Sequence, residues 1–423
     1  MTSLSKLTLL AAATASVMML SSAAFAQQKT FTVWWFEDPQ SSQGLVWAKA
    51  LDELKANHPD VTVNFEQKTF AQLQASGSMI LNSDQAPDIL EYNKGNATAG
   101  LVASQGLLTP LDDAYTAKGW DKILNDGDLV LSKYDDKGIY GSGHIWGIST
   151  YGEYVSAFYN IDMFDKAGLK VPTTLDELTA DFETFKQQGI TPLALGGVDT
   201  SGQHVLASLA YTKADDIWIQ NYQGLKAPLD TAPYLFAAQT MVDWVNKGYV
   251  SKDSTGMKDP DAALLFTSGK APIYISGTWN LGTFAATIKD FKWGQFLVPT
   301  PKYSVGSTGN LWVIPKGSRN VDLAEEFISL LLSPKYQTEQ ANDGGVSIAA
   351  DPATITNPVG KNAAAVFKEI ADKQGLGFYP DWPVPGFYDV LIQKVTGLLQ
   401  GTSTPDQFVA DLKKTYDDAQ ENQ

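Results

Sequence analysis

The 423-residue chain has no cysteine, three histidines (His58, His144 and His204), and a single arginine, Arg319, among its 31 basic residues. Without cysteine there is no disulfide, no thiolate metal site, no cysteine nucleophile and no lipid-modified cysteine at an export cleavage site. Arginine is the favoured bidentate partner of phosphate and carboxylate, so its scarcity argues against an anionic ligand. Three histidines far apart in sequence leave a zinc or iron site to be built almost entirely from carboxylates, an unusual donor set. No metal and no cofactor is expected. No basic tract offsets the net charge of −16, which argues against nucleic acid as a partner. Beyond the N-terminus no apolar run approaches a membrane span, so stable membrane insertion is not expected.

Residues 1–26 have the form of an export signal. Lys6 supplies the positive region, 7–20 the apolar stretch, and Ala24-Phe25-Ala26 the small-x-small cleavage site. The apolar run is short and interrupted by Thr14 and Ser16, which disfavours an uncleaved anchor. A mature chain beginning near Gln27, with no tether and no disulfides, suits the periplasm of a double-membraned bacterium. Its length allows two or three domains and a large core.

The mature chain opens on Phe31-Thr-Val-Trp-Trp-Phe, a strong strand pattern. An amphipathic helix is expected over 43–57, with Leu45, Ala48, Leu51 and Leu54 on one stripe. Strands over 61–66 and 86–92 flank a helix over 70–81. This β-α-β-α-β order with short loops predicts a parallel sheet covered by helices, its carboxyl-end loops 35–38 and 92–95 on one edge. Residues 145–160 have the look of two strands split at Gly152. Thr174 and Glu177 complete a capping box ahead of a helix, and further helices are expected over 204–212, 232–247 and 259–268. No repeat and no long linker is present, so two domains would be joined by several chain crossings.

The most informative stretch is 263–280. A helix end carrying Phe266 stops at Ser268-Gly269, and 271–275 is a short strand apolar on both faces, as in a buried α/β sheet. Ligands collect at the carboxyl ends of such strands. Here that end presents Gly277, Thr278, the indole of Trp279 and the amide of Asn280. An indole for a sugar's ring face and an amide for its hydroxyls suit a saccharide.

A family resemblance rests on elements in a fixed order. They are the export signal, Pro87-Asp88-Ile89, Gly106-Leu107-Leu108-Thr109-Pro110-Leu111, the stretch from Phe158-Tyr159-Asn160-Ile161-Asp162 through Ala167-Gly168-Leu169 to Pro172-Thr173-Thr174, Phe266-x-x-Gly269-Lys270-Ala271, Gly277-Thr278-Trp279, Gly309-Asn310 with Ala324-x-x-Phe327, and Leu398-Leu399-Gln400-Gly401 with Thr404-Pro405. Over nearly the whole mature chain this resembles the extracellular solute-binding proteins of ABC importers, in the carbohydrate-binding branch that includes maltodextrin-binding proteins. The resemblance implies a periplasmic-binding-protein type II-like α/β fold, two lobes joined by a multi-strand hinge and closing on one ligand. Hinge crossings are expected near 147–150, 307–310 and 345–349. The first lobe would combine 27–148 with 309–348, and the second 149–308 with 349–423. Thr308 stands where the family usually has a second glycine, and Ser347-Ile348-Ala349 where it often has a basic residue. The implied role is capture of a neutral mono- or oligosaccharide by a monomer that delivers it to a membrane permease of the ABC importer.

The expected site gathers the loop ends. Trp35 or Phe36 would stack on the ligand, with Glu37 and Asp38 accepting from vicinal hydroxyls. Alternation puts Val33 and Trp35 on one face, so one of the paired tryptophans belongs to the core. Tyr92-Asn93, Tyr151, Glu153 and Tyr154 should face the same cleft. Asn310 is expected at the ligand and Trp312 in the core, Trp382 in the stiff segment 378–387 is expected to form another wall, and His204 is a further candidate. Aromatic planes bury the C–H faces of pyranoses while carboxylates and amides meet the hydroxyl rim. Two other readings remain: a secreted glycoside hydrolase using Glu37 and Glu153 as its paired carboxylates, and the same binding fold with a polyamine held by Glu37, Asp38, Glu153 and a Trp279 cation–π wall.

Overall fold

The computed structural model describes residues 29–422. The expected export signal and its cleavage site lie outside the described residues. Six strands come first in chain order: β1 (Lys29–Trp35), β2 (Val61–Gln67), β3 (Ile89–Tyr92), β4 (Lys133–Tyr134), β5 (His144–Ile145) and β6 (Ile148–Ser149). Six more follow: β7 (Gly152–Asn160), β8 (Leu193–Ala194), β9 (Ile273–Gly277), β10 (Trp293–Phe296), β11 (Gly306–Thr308) and β12 (Leu311–Val313).

Two five-stranded sheets organise the molecule into two α/β lobes. The first has the order β2-β1-β3-β12-β6, and its parallel core β2-β1-β3 is the expected one. Helices Ser42–Asn57 and Phe70–Leu81 connect those strands, within a residue of their expected spans. The second sheet runs β10-β7-β9-β8, with β11 paired to β7 as well. Its central β9 is buried along its whole length, as an apolar strand between two covered faces must be. The Thr174–Glu177 capping box closes the helix Leu175–Gln187.

Four details differ from expectation. Leu51 and Leu54 are buried as expected, but Leu45 and Ala48 face solvent, and Val46, Trp47 and Ala50 complete the buried face instead. Trp47 sets that face: its indole meets Trp35 at 6.0 Å and Trp312 at 4.8 Å, an area that outweighs two small aliphatics. The break within 145–160 falls at Thr150-Tyr151, because β6 and β7 belong to different sheets; Gly152 opens β7. β9 begins two residues later than expected because Pro272 has no N–H for the ladder. The helix Asp216–Gly224, capped by Asp215, was not anticipated.

The chain passes between the sheets at β6–β7 and returns at β11–β12, side by side. A further connection follows the helix Pro334–Asn342. Gln337 binds it to the first crossing, its amide donating to the Thr150 carbonyl at 2.7 Å and accepting from Ser347 at 2.7 Å. Trp312 and Phe327 anchor the first core; Phe182, Trp244, Phe158 and Phe266 anchor those of the second lobe.

Candidate functional site

A cavity of about 360 Å³ lies where the carboxyl-end loops of the first sheet face the second lobe. That size is within the roughly 300–1,000 Å³ typical of small-ligand sites. The first lobe contributes Phe36, Glu37 and Asp38 after β1, Phe70 at a helix start, Asn93 after β3, and Asn310. The second contributes Glu153, Asp199, Gln203, His204, Asp259, Trp279, Tyr379, Asp381, Trp382 and Tyr388 among others.

A buried polar network forms its floor. Lys94 Nζ lies 2.9 Å from Glu153 Oε1, with both side chains almost wholly enclosed. The same ammonium sits 5.1 Å from the centre of the Trp382 ring. Tyr151 donates toward Glu91 at 3.2 Å and Glu37 at 3.3 Å, while Asn310 donates to Glu91 at 3.3 Å and to the Tyr151 oxygen at 3.1 Å. Burial, then the charge of Glu153, pushes Glu37 up to about 7. Burial followed by the Glu37 charge raises Glu91 well above the usual carboxylate range. Burial also brings Asp381 up to about 7 and Asp259 to about 6. Poorly solvated surroundings disfavour the charged form of a carboxyl group unless donors or a cation meet it.

Aromatic rings make the walls. Trp279 folds back over Gly277, where any Cβ would collide with the indole. Trp382 rests in the same way on Gly95, which also has a left-handed φ of 99°. Tyr379 bridges the two, 6.4 Å from Trp279 and 5.0 Å from Trp382 between ring centres. Gln223, on the unanticipated helix, donates to the carbonyls of Gly377 and Tyr379 and so fixes the aromatic segment from outside. At the mouth, Phe70 of the first lobe meets Tyr388 of the second at 5.6 Å.

His204 packs against Trp279 and Tyr379, and burial drives its pKa down to about 3, so the imidazole is neutral. Its Nδ1 and the neighbouring Gln203 Oε1 are buried without a hydrogen-bond partner. Both residues line the cavity.

Of the residues singled out in the sequence, Phe36, Glu37, Asp38, Asn93, Glu153, Trp279, Asn310 and Trp382 line this space, as does His204. Trp35, Tyr151 and Asn280 do not. Trp35 is a core residue stacked on Phe65 at 4.5 Å with near-parallel planes, since it shares the inward face of β1 with Phe31 and Val33. Tyr151 stands behind the cavity and holds Glu37 and Glu91. Asn280 turns its amide back onto Ser276 and Gly277. Tyr154 and Trp312 are fully buried in the core. Lys94, Glu91, Gln203, Asp259, Tyr379, Asp381 and Tyr388 were not anticipated. Tyr379 and Asp381 fall inside the aromatic segment already noted, and Lys94 is a lone lysine directly after a strand end.

Two α/β lobes, linked by adjacent strand crossings around an aromatic-walled cleft, define a solute-binding receptor. The chain belongs to the bacterial extracellular solute-binding protein family, whose profile matches residues 38–338. A probable sugar-binding periplasmic protein of Brucella suis is 28% identical over 73% of this chain and 74% of its own length. The diacetylchitobiose-binding protein DasA of Streptomyces coelicolor is 26% identical over 89% of this chain and 87% of its own. Among solved structures, a chitin oligosaccharide binding protein superposes with a TM-score of 0.81 at 22% identity, covering 93% of this chain and 99% of that one. The family consists of receptors and not enzymes. The closed eight-stranded barrel considered for a glycosidase is not formed by the described strands, whose two main sheets are open. Among the described residues no group of side chains forms a metal site and no helix is long and apolar enough to cross a membrane.

Proposed function

We propose that the protein captures a mono- or oligosaccharide between its lobes and hands it unchanged to the membrane permease of an ABC importer. The observation that carries this reading is the pair of indoles, Trp279 and Trp382, each seated on a glycine on either side of Tyr379. Flat apolar planes at this spacing suit pyranose faces, and the carboxylates and amides around them suit a hydroxyl rim. The names of the Brucella and Streptomyces relatives support a sugar. An anionic sugar fits poorly, since the nearest cation, Lys94, is committed to Glu153.

Closure would turn about the crossings at 147–150, 307–310 and 345–349, dividing the chain into lobes 27–148 with 309–348 and 149–308 with 349–423. Side-by-side passage of β6–β7 and β11–β12 supports that hinge. We further propose a monomer, exported to the periplasm after cleavage near Ala26, as the relatives' periplasmic names favour. A thermal-shift screen of the chain from Gln27 onward against neutral mono- and oligosaccharides tests the reading. A hit raises the melting temperature with concentration and without turnover; no shift with any saccharide overturns it.

A further inference from the structure

The cavity wall is one-sided in its chemistry. Six carboxylates line it: Glu37, Asp38, Glu153, Asp199, Asp259 and Asp381. None of the lining residues is lysine or arginine. Among the described residues only Glu153 of the six forms an ion pair, with Lys94 behind the wall. The remaining five make hydrogen bonds at most: Asp38 accepts from the Gln40 N–H, Asp199 caps a helix, and Asp259 accepts from Tyr274 at 2.8 Å. His204 adds no positive charge.

The acceptors are not dispersed. Burial, then the charges of Asp199, Asp381 and Asp259 among others, raises the Tyr388 hydroxyl. The Tyr379 hydroxyl is raised by burial and then by Glu153, Asp381 and Glu37. Asp381 acts on both hydroxyls from within the same cavity lining. Independently of the acids, Gln203 Oε1 is 1% exposed, lines the cavity and has no donor. The amide oxygen can only accept, so it is a vacancy for an N–H or O–H that the protein itself does not supply.

A sugar hydroxyl donates one hydrogen bond and also needs donors for its oxygen. An ammonium donates three and needs none. The lining also offers donors, among them Asn93, Thr200, Asn310 and the Tyr379 hydroxyl, but carboxyl groups are its only groups of opposite sign to an ammonium. Burial leaves Glu37, Asp259 and Asp381 reluctant to ionise without a cation. An ammonium among them gains a charge-assisted bond that a hydroxyl does not. The stacked indoles and Tyr379 still require a ring, which a linear polyamine does not offer.

We propose that the cleft prefers a saccharide bearing a protonated amino group to the same saccharide in neutral form. This rests on the sugar-receptor reading above and names the ligand class within it. Replacing a neutral hydrogen-bond donor by a charged one facing carboxylates is expected to tighten binding about tenfold.

The test is calorimetric titration of the chain from Gln27 onward, in neutral buffer, with three matched disaccharides. One is a glucosamine disaccharide with free amines, one its N-acetylated counterpart, and one cellobiose. The expected result is binding of the free amine about tenfold tighter than either neutral sugar, with an advantage that shrinks as salt is added. Asp381→Asn should erase most of that advantage while the affinity for cellobiose changes far less. Asp38→Asn, at an exposed position, provides a second variant should Asp381→Asn not fold, and it should reduce the advantage in part. Equal or weaker binding of the amine, with a neutral sugar bound, overturns the preference and leaves the sugar receptor standing. Binding of spermidine but of no saccharide overturns both.

Discussion

Lys94 and Glu153 form a closed ion pair, 2.9 Å apart, although one follows a strand of the first sheet and the other lies on the second. The pair ties the lobes together at the floor of the cleft. Removing one partner strands a buried charge, which costs far more than the pair itself contributes. Lys94→Met is therefore expected to lower unfolding free energy by about 3–5 kcal/mol in urea titrations. The double variant Lys94→Met, Glu153→Leu should recover a good part of that loss. A single variant as stable as the parent would show that Glu153 is solvated or protonated.

The two glycines beneath the indoles yield a sharper test of the walls than deletion of the rings. In Gly277→Ala the new methyl occupies the indole's place, so Trp279 must leave its position. Affinity for a saccharide should fall by about 2 kcal/mol, about thirtyfold in Kd, in both Gly277→Ala and Trp279→Ala. Unchanged calorimetric Kd in both variants would exclude Trp279 from ligand contact.

Trp35 and Trp279 are the same residue type at corresponding strand ends, and they should behave differently. Trp35 is 5% exposed and packed between Phe65 and Trp47. Trp35→Ala is expected to destabilise the chain by about 3–5 kcal/mol. At a temperature where that variant remains folded, its saccharide Kd should stay within about twofold of the parent, since one core side chain acts on stability and not on ligand contact. A large loss of affinity with full stability would reverse the assignment.

Stability should carry a pH signature from Glu37. Its pKa rises from 4.5 in a solvated chain to about 7 when folded. Between those values the folded state holds a proton that the unfolded state has released. The contribution is thus present in full in acid and lost as pH rises through that window. Glu37→Gln should gain about 1–3 kcal/mol relative to the parent across it. His204 acts in the opposite sense: its folded value near 3, against 6.5, means stability is lost as pH falls from 6.5 toward 3. Parallel urea series on Glu37→Gln and on His204→Gln separate the two; identical pH profiles for parent and Glu37→Gln would place that carboxylate in solvent.

Although Trp47 set the buried face of the first helix, the spans of the parallel sheet's strands and of its two connecting helices could be read from the sequence, because hydrophobic period and capping act locally. The same is true of Trp279, since an apolar strand ending in glycine and an aromatic is a local pattern. Helix 216–224 escaped notice because its polar face hides a stripe, Trp218, Ile219 and Tyr222, that is apolar only toward neighbours far away in sequence. Lys94 looked like any surface lysine, and only its enclosure beside Glu153 gives it a role.

By itself the amino-acid sequence determined the α/β class, the absence of thiol chemistry, and most of the loops that meet at the cleft. These depend on composition and on neighbours a few positions apart. Tertiary structure decided which of Trp34, Trp35 and Phe36 faces the cavity, that Tyr151 supports rather than lines it, and that six carboxylates share a cavity lining with no lysine or arginine among its residues. Those outcomes are set by contacts between residues tens to hundreds of positions apart, where packing and desolvation act only after the lobes have formed.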